Sequence, residues 1–98
     1  MKIIFKEPGK PAELKDIPNE LEDLQELVDG WVEAHTITED MVIICNEEGR
    51  IRQMPFNCHV FVDWVGPIAF VGMKGDEFCD VPISLEDARQ LYGLEVQE

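Results

Sequence analysis

Short apolar blocks, separated by turn-forming residues, run along most of the chain. Residues 41–45 and 68–73 are continuously apolar, which is typical of strands covered on both faces. Residues 2–6, 31–37 and 60–65 combine β-branched and aromatic side chains, a composition that favours strands. Gly, Pro, Asn and Asp residues between these blocks mark turns. The pattern therefore predicts about five or six short strands.

Residues 20–29 show a helical period instead. Four apolar side chains fall on one stripe of this segment: Leu21, Leu24, Leu27 and Val28. Asn19 suits the N-cap position, and Glu22 three residues later completes a variant of the capping box. Gly30 suits the position that follows the last helical turn. We predict a first helix here.

Residues 84–92 form a second helical pattern near the end of the chain. Ser84 suits the N-cap, Asp87 occupies the capping-box position, and Gly93 follows the last turn. Its apolar face comprises Leu85, Ala88, Leu91 and Tyr92.

The tetrapeptide Asn-Glu-Glu-Gly follows the apolar block 41–45. Asn46 is suited to bonding the backbone ahead of it, and Gly49 accepts a positive φ. We predict a β-hairpin turn, with residues 50–54 as the second strand and Pro55 as its end.

The order of these elements indicates an α+β fold. Most connections are too short for the crossovers that parallel strands need, so we expect a largely antiparallel sheet. Residues 11–17 fit a loop or an edge strand. The chain has 98 residues, 45% of them apolar, which suits a single domain with its own core.

The charge balance narrows the range of partners. There are 21 acidic and 8 basic residues, and the net charge is −13. Such a protein is repelled by nucleic acid phosphates and by anionic membranes. No apolar run approaches the roughly 20 residues of a membrane span, and the N-terminus lacks the apolar region of a signal peptide. We expect a cytoplasmic protein.

Three cysteines, Cys45, Cys58 and Cys79, are interpreted as free thiols in a reducing compartment. A zinc site made of these residues and His59 is disfavoured, because neighbouring residues of a strand point to opposite faces. We therefore expect neither a metal nor another cofactor.

Eleven acidic residues and no Lys or Arg lie within residues 16–49. Glu22 and Glu26 are like charges at helical contact spacing, which destabilises a helix by a few tenths of a kcal/mol. One interpretation is a solvated helix face that benefits from acids at its N-terminus. The other is a face for a basic partner, including the possibility of DNA mimicry.

Catalytic patterns are weak in this sequence. His35 shares a strand face with Glu33, but no nucleophile lies at a recognisable spacing from them. His59 and Asp63 are four residues apart, which a continuous strand does not bring into contact. Phosphate-binding loops, dinucleotide fingerprints and hydrolase motifs are absent from the sequence. We expect a protein that is not an enzyme.

A small-molecule site is the alternative. Four polar residues around the predicted hairpin are its candidates: Asn46, Glu48, Arg50 and Asn57. Three aromatic residues are candidates for stacking, although core packing is commoner: Trp31, Phe61 and Trp64. Arg50 and Arg52, on one face of the predicted strand, would hold an anion such as a nucleotide phosphate, or pair with nearby acids. The site requires Asn46 and Asn57 to converge.

The chain resembles the DUF3846 family, a domain of unknown function, over nearly its whole length. The resemblance rests on "FKEPGKPAELKDIPNELEDLQELVDGWVEA", "MVIICNEEGRIRQMPFN" and "IAFVGMKGDEF". Its most specific parts are residues 7–10, the Leu-Gln-Glu-Leu-Val helix, and Cys-Asn-Glu-Glu-Gly followed by Pro55 and Asn57. Family members often continue with Arg after that Asn, whereas Cys58 follows here. A role for that Arg does not carry over.

The resemblance implies a bacterial context of phages, plasmids and conjugative elements, and it implies no reaction. Our first interpretation is a noncatalytic accessory protein that binds a host protein. The second is a protein that binds or sequesters a nucleotide-like small molecule. The third is a DNA-mimic inhibitor that acts through the acidic first helix.

Overall fold

A computed structural model describes residues 1–94 and contains ten elements. In chain order they are β1 (Lys2–Lys6), β2 (Glu13–Asp16), α1 (Leu21–Val28), β3 (Val32–Thr38), β4 (Met41–Asn46), β5 (Phe56–Val60), β6 (Val62–Val65), β7 (Ile68–Lys74), β8 (Glu77–Cys79) and α2 (Leu85–Tyr92). Neither eight-residue helix has the length or apolar character needed to cross a membrane.

The main sheet has six strands in the order β2-β1-β7-β4-β3, with β8 paired to the end of β7. Strands β5 and β6 form a separate two-stranded sheet. Every strand pair in these two sheets is antiparallel. The predicted α+β class and largely antiparallel sheet are confirmed. Residues 11–17, which fitted either a loop or an edge strand, contain the edge strand β2.

Strand β4 is buried along its whole length because both faces of the sheet are covered. On one face, Val42 and Ile44 pack with Leu24 and Val28 of α1. On the other face, alternate residues of β4 pack against the β5–β6 hairpin and α2. The alternation of side chains along a strand thus divides the interior into two cores.

The predicted N-cap of α1 is wrong, although the helix is confirmed. The N-cap residue is Glu20, which makes no side-chain capping bond. The Asn19 amide instead donates to the carbonyl of Phe78, 2.9 Å away. At the other end, Asp29 takes the left-handed conformation with φ 59°, and the Gly30 N–H donates to the Gln25 carbonyl.

Helix α2 begins as predicted, since the Asp87 N–H donates to the Ser84 hydroxyl at 3.1 Å. Gly93 ends it in the left-handed conformation. Its predicted apolar face is only partly correct. Ala88 is buried and Tyr92 stacks on Phe70, whereas Leu91 is 68% exposed.

The predicted hairpin after β4 is wrong. Asn46 does bond ahead to the Glu48 N–H, but residues 47–53 form successive turns instead of a second strand. The Arg52 N–H donates to the Glu48 carbonyl, and the Met54 N–H donates to the Gly49 carbonyl. These local bonds replace the ladder that a strand would need. Positive φ occurs at Gln53, not at Gly49.

The strand predicted over residues 60–65 is interrupted. Phe61 has a φ of 68° and separates β5 from β6, so the chain reverses at that residue. Val60 therefore pairs with Val62, and His59 pairs with Asp63. Strand β8, which has only three residues, was not predicted.

Candidate functional site

A cleft of about 180 Å³ lies between strands β3 and β4, the 47–53 turns and β6. Its lining residues are Glu33, His35, Cys45, Asn46, Glu47, Gly49, Arg50, Ile51, Val62, Asp63, Trp64 and Val65. Strand pairing supplies one wall and the reversal at Phe61 supplies the other. Two of the four predicted ligand residues, Asn46 and Arg50, are in this lining.

Three side chains with metal-binding atoms converge in the cleft: Glu33, His35 and Cys45. Their ligand atoms all lie within 4.8 Å of one another, and His35 Nε2 lies 3.3 Å from Glu33 Oε2. The predicted sharing of a face by Glu33 and His35 is confirmed. Among residues 1–94, this is the group that converges, and the set of three cysteines with His59 does not.

The pairing register of β3 and β4 places Cys45 beside Glu33 and His35. Glu33 lies directly opposite Cys45 in the β3–β4 pair, and His35 lies two residues further along β3. Residues two apart on a strand share a face, so all three side chains point the same way. The turn at 39–40 pairs Thr38 with Met41, and a bulge between Thr36 and Thr38 then shifts the register by one residue. Without that bulge Cys45 would lie on the opposite face from Glu33, so the sequence alone did not reveal this group.

Acidic side chains predominate among the charged groups of the cleft. Glu33, Glu47 and Asp63 line it, against the single guanidinium of Arg50. Arg50 Nη2 already donates to the main-chain carbonyl of Asp63 at 2.6 Å. Burial raises the pKa of the Cys45 thiol to about 11; the charge of Glu33 adds to this rise and Arg50 opposes it. The site is suited to a cation better than to an anion.

Asn46 is a structural link as much as a candidate ligand residue. Its buried amide donates to the carbonyls of Val28 and Asp29 at the end of α1, at 3.0 and 2.9 Å. Its side-chain oxygen accepts the Glu48 N–H at 2.7 Å. Both amide hydrogens are thus already used by the backbone. Glu48 is exposed and is not part of the cleft lining.

Asn57 is also buried, but it serves a different junction. Its amide donates to the carbonyls of Lys6 and Gly66 at 2.8 and 2.7 Å, which ties β5 to the main sheet. The lining of the cleft includes Asn46 but not Asn57. The structure therefore gives the two asparagines separate backbone partners instead of one shared site.

One histidine makes a contact that the sequence analysis did not expect. The reversal at Phe61 places His59 Nδ1 2.8 Å from Asp63 Oδ1, so the expectation that these residues do not touch is wrong. Both side chains are mostly exposed, and a pair in water contributes little to stability. The His35 ring meets Trp64 edge-on at 5.1 Å, which makes Trp64 part of the wall beside Glu33 and Cys45.

Arg50 and Arg52 were predicted to share one face of a strand, but the structure gives them different partners. Arg52 Nη1 donates to the Asp29 carbonyl at 2.7 Å, and its Nη2 pairs with the Asp29 carboxylate at 3.0 Å. Arg52 therefore holds the end of α1, while Arg50 lies in the cleft.

The exposed side of α1 forms a second surface, made of Leu21, Glu22, Glu26 and Trp31. Glu22 and Glu26 are one helical turn apart and exposed. Leu21 at the start of the helix is 58% exposed, and Trp31 just beyond its end is 63% exposed. Among the described residues, no basic side chain lies within salt-bridge distance of either glutamate.

Comparison with known proteins agrees with the resemblance noted in the sequence. No curated protein and no solved structure matches the chain. The family profile described as "Domain of unknown function (DUF3846)" matches residues 1–93. That match covers nearly the whole chain, and the protein therefore belongs to the DUF3846 family.

Proposed function

We propose that this protein is a noncatalytic binding protein that recognises a basic surface of another protein through the exposed side of α1. The observation that carries the proposal is the unpaired row of Glu22 and Glu26, which has an exposed apolar side chain at either end. Acidic groups would attract and orient the partner. Leu21 and Trp31 would supply apolar contact, and Trp is enriched among residues that dominate binding energy.

The charge at Glu26 supports this assignment. Glu22 and Asp23 lie in the first turn of α1, where acidic groups favour the helix dipole, whereas Glu26 lies near the other end, where they do not. No basic residue lies in the last turn of α1, where it would favour the helix dipole. Glu22 and Glu26 repel each other at a spacing where a Glu and a Lys would attract. An acidic side chain at Glu26, which the helix itself does not favour, is more readily explained by a partner than by folding.

The nucleotide alternative has less support from the cleft. A volume of about 180 Å³ is below the roughly 300–1,000 Å³ of ordinary small-molecule pockets. Three carboxylates around it would repel a phosphate group. DNA mimicry remains a special case of our proposal, in which the partner is a DNA-binding protein. A bacterial mobile-element origin and a cytoplasmic location belong to the same proposal.

The test is affinity capture from a lysate of the bacterial host, followed by quantitative mass spectrometry. The test variant is Glu22→Lys/Glu26→Lys, and the matched control is Glu39→Lys/Asp76→Lys in two exposed turns. Each substitution adds two charges, so both double variants change the net charge from −13 to −9. Only the test variant changes α1.

We expect one or more basic proteins to be captured by the wild type and the control but not by the test variant. Binding should also weaken between about 50 and about 500 mM NaCl, because salt screens exposed charges. Direct titration of the purified partner then measures the loss of affinity. Equal capture by all three proteins would show that α1 is not the binding surface.

A further inference from the structure

The cleft residues Glu33, His35 and Cys45 offer one oxygen, one nitrogen and one sulfur ligand. Tetrahedral zinc bonds, about 2.0–2.2 Å to nitrogen or oxygen and about 2.3 Å to sulfur, separate ligand atoms by roughly 3.3–3.7 Å. The His35 Nε2 to Glu33 Oε2 distance is already 3.3 Å. The full group lies within 4.8 Å, so Cys45 Sγ needs a movement of at most about 1–1.5 Å.

The framework around these atoms is rigid on one side and adjustable on the other. Cys45 lies on the buried central strand β4, whereas Glu33 and His35 lie on the edge strand β3 with about half of each side chain exposed. Two exposed side chains can therefore rotate toward a fixed sulfur. The strand register keeps all three on one face throughout.

The cleft also has room for an ion and for water. A water molecule takes a share of about 30 Å³ in the liquid, and the cleft encloses about 180 Å³. Glu47 and Asp63 add two more carboxylates to the lining, while the Arg50 guanidinium is already bonded to the Asp63 carbonyl. A divalent cation would offset this excess of negative charge.

We propose that Glu33, His35 and Cys45 form a binding site for a divalent transition-metal cation of the zinc type. A mixed sulfur, nitrogen and oxygen set favours zinc over magnesium or calcium, which prefer oxygen ligands alone. Three protein ligands leave a fourth position that faces the cleft and is open to water. This site is separate from the exposed side of α1 and does not depend on the proposed function.

The competing explanation is an ordinary structural one. The Glu33–His35 pair would then be an exposed ion pair of little energetic value, and Cys45 would be a small buried side chain of the core. Such residues would bind cobalt or zinc no better than other exposed histidines and thiols do. This explanation predicts that metal binding does not require the three residues together.

The experiment is a titration of the metal-free, reduced full chain with Co²⁺, followed by competition with Zn²⁺. Cobalt bound by a thiolate gives a ligand-to-metal charge-transfer absorption, and tetrahedral cobalt gives intense visible bands. The test variants are Cys45→Ser, His35→Gln and Glu33→Gln. The matched controls are Cys79→Ser and His59→Gln, which remove the same chemical groups outside the proposed set. Circular dichroism establishes that each variant is folded.

We expect one equivalent of Co²⁺ with the thiolate absorption, displaced by Zn²⁺, in the wild type and both controls. Cys45→Ser should lose the thiolate absorption, and each test variant should weaken binding at least about tenfold. His35→Gln changes an exposed residue, so it keeps the test decisive if Cys45→Ser does not fold. The absence of thiolate absorption in the wild type would overturn the proposal. Equal losses in a control variant would overturn it too.

Discussion

The buried amide of Asn46 joins three segments, so its removal gives the most informative stability measurement. Asn46→Ala deletes the bonds to the Val28 carbonyl, the Asp29 carbonyl and the Glu48 N–H. Arg52 still donates to the Asp29 carbonyl. The carbonyl of Val28, at the end of a helix, and the N–H of Glu48 lose the partner that Asn46 supplied.

The expected loss follows from these groups. A net hydrogen bond contributes about 1 kcal/mol, and a buried group left unpaired costs about 1–3 kcal/mol. We therefore expect Asn46→Ala to lower the free energy of unfolding by roughly 2–4 kcal/mol. For a domain of this size, that corresponds to a fall in Tm of roughly 10–25 °C. The change is a large part of a typical total of about 5–15 kcal/mol.

Urea denaturation followed by circular dichroism measures this loss, with Asn19→Ala as the control. Asn19 makes one exposed bond to the Phe78 carbonyl, so its removal should cost less than about 0.5 kcal/mol. Asn46→Asp should be at least as unstable as Asn46→Ala at pH 7, since a carboxylate would face carbonyl oxygens. Protonation at lower pH restores a donor and should narrow the difference. A loss below about 1 kcal/mol for Asn46→Ala, with an unchanged m-value, would refute this reasoning.

Three further predictions concern charge. Glu26→Lys should raise the free energy of unfolding by about 0.5 kcal/mol in urea titrations, because it replaces a repulsion with Glu22 by an attraction and places a cation near the end of α1. Lys6→Met should stabilise the protein by about 1 kcal/mol at pH 7, since burial of this largely inaccessible residue lowers the pKa of its amine. Its advantage should shrink as pH rises through that lowered pKa, where the wild-type lysine becomes neutral. The wild-type Tm should rise between about 10 and 300 mM NaCl, because salt screens the self-repulsion of a net charge of −13.

Each of these has a clear contrary result. Glu39→Lys, at an exposed turn, is the control for Glu26→Lys, and an equal gain would show that only net charge matters. A constant difference between Lys6→Met and wild type up to high pH would show that the amine is not penalised. A flat or falling Tm with salt would show that the carboxylates are compensated in the fold.

Features of the fold that depend on local residue properties could be predicted from the sequence. The run at residues 41–45 became a strand buried on both faces, and Ser84 became a true N-cap. Both depend on properties of the residues themselves, which are apolar character and a short hydroxyl side chain. The presence of α1 was equally clear, because Leu24, Leu27 and Val28 of its predicted apolar stripe face a core whichever residue caps the helix. Leu21, the fourth residue of that stripe, is exposed instead.

Features set by distant contacts could not be predicted. The alternation of Arg50, Ile51 and Arg52 imitates a strand, yet these residues form turns and Ile51 is 82% exposed. Asn19 bonds Phe78, almost sixty residues away, in preference to its own helix. The reversal at Phe61 uses a positive φ without glycine, which sequence rules assign to Gly, Asn or Asp.

The candidate sites also differ in whether local sequence could predict them. The acidic side of α1 could be predicted because it depends on local helical spacing. The group of Glu33, His35 and Cys45 depends on the register of two strands, and the sequence analysis interpreted Cys45 as a free thiol and disfavoured a metal site that joined it to the other cysteines and His59. The convergence of Asn46 and Asn57 could not be judged from spacing, since each is held by backbone carbonyls of another element.

The alternation of β4 constrains how this chain can change over evolutionary time. Cys45 packs in the core beneath β5, β6 and α2, whereas the Asn46 amide bonds the end of α1, so neighbouring positions belong to opposite sides of the sheet. An insertion or deletion of one residue within β4 would exchange the two sides for every residue beyond it. Residues 47–53 form turns outside the strands, so a change in their number would not exchange the two sides of the sheet. We therefore expect length variation among descendants of this sequence to accumulate in those turns and to be absent from β4.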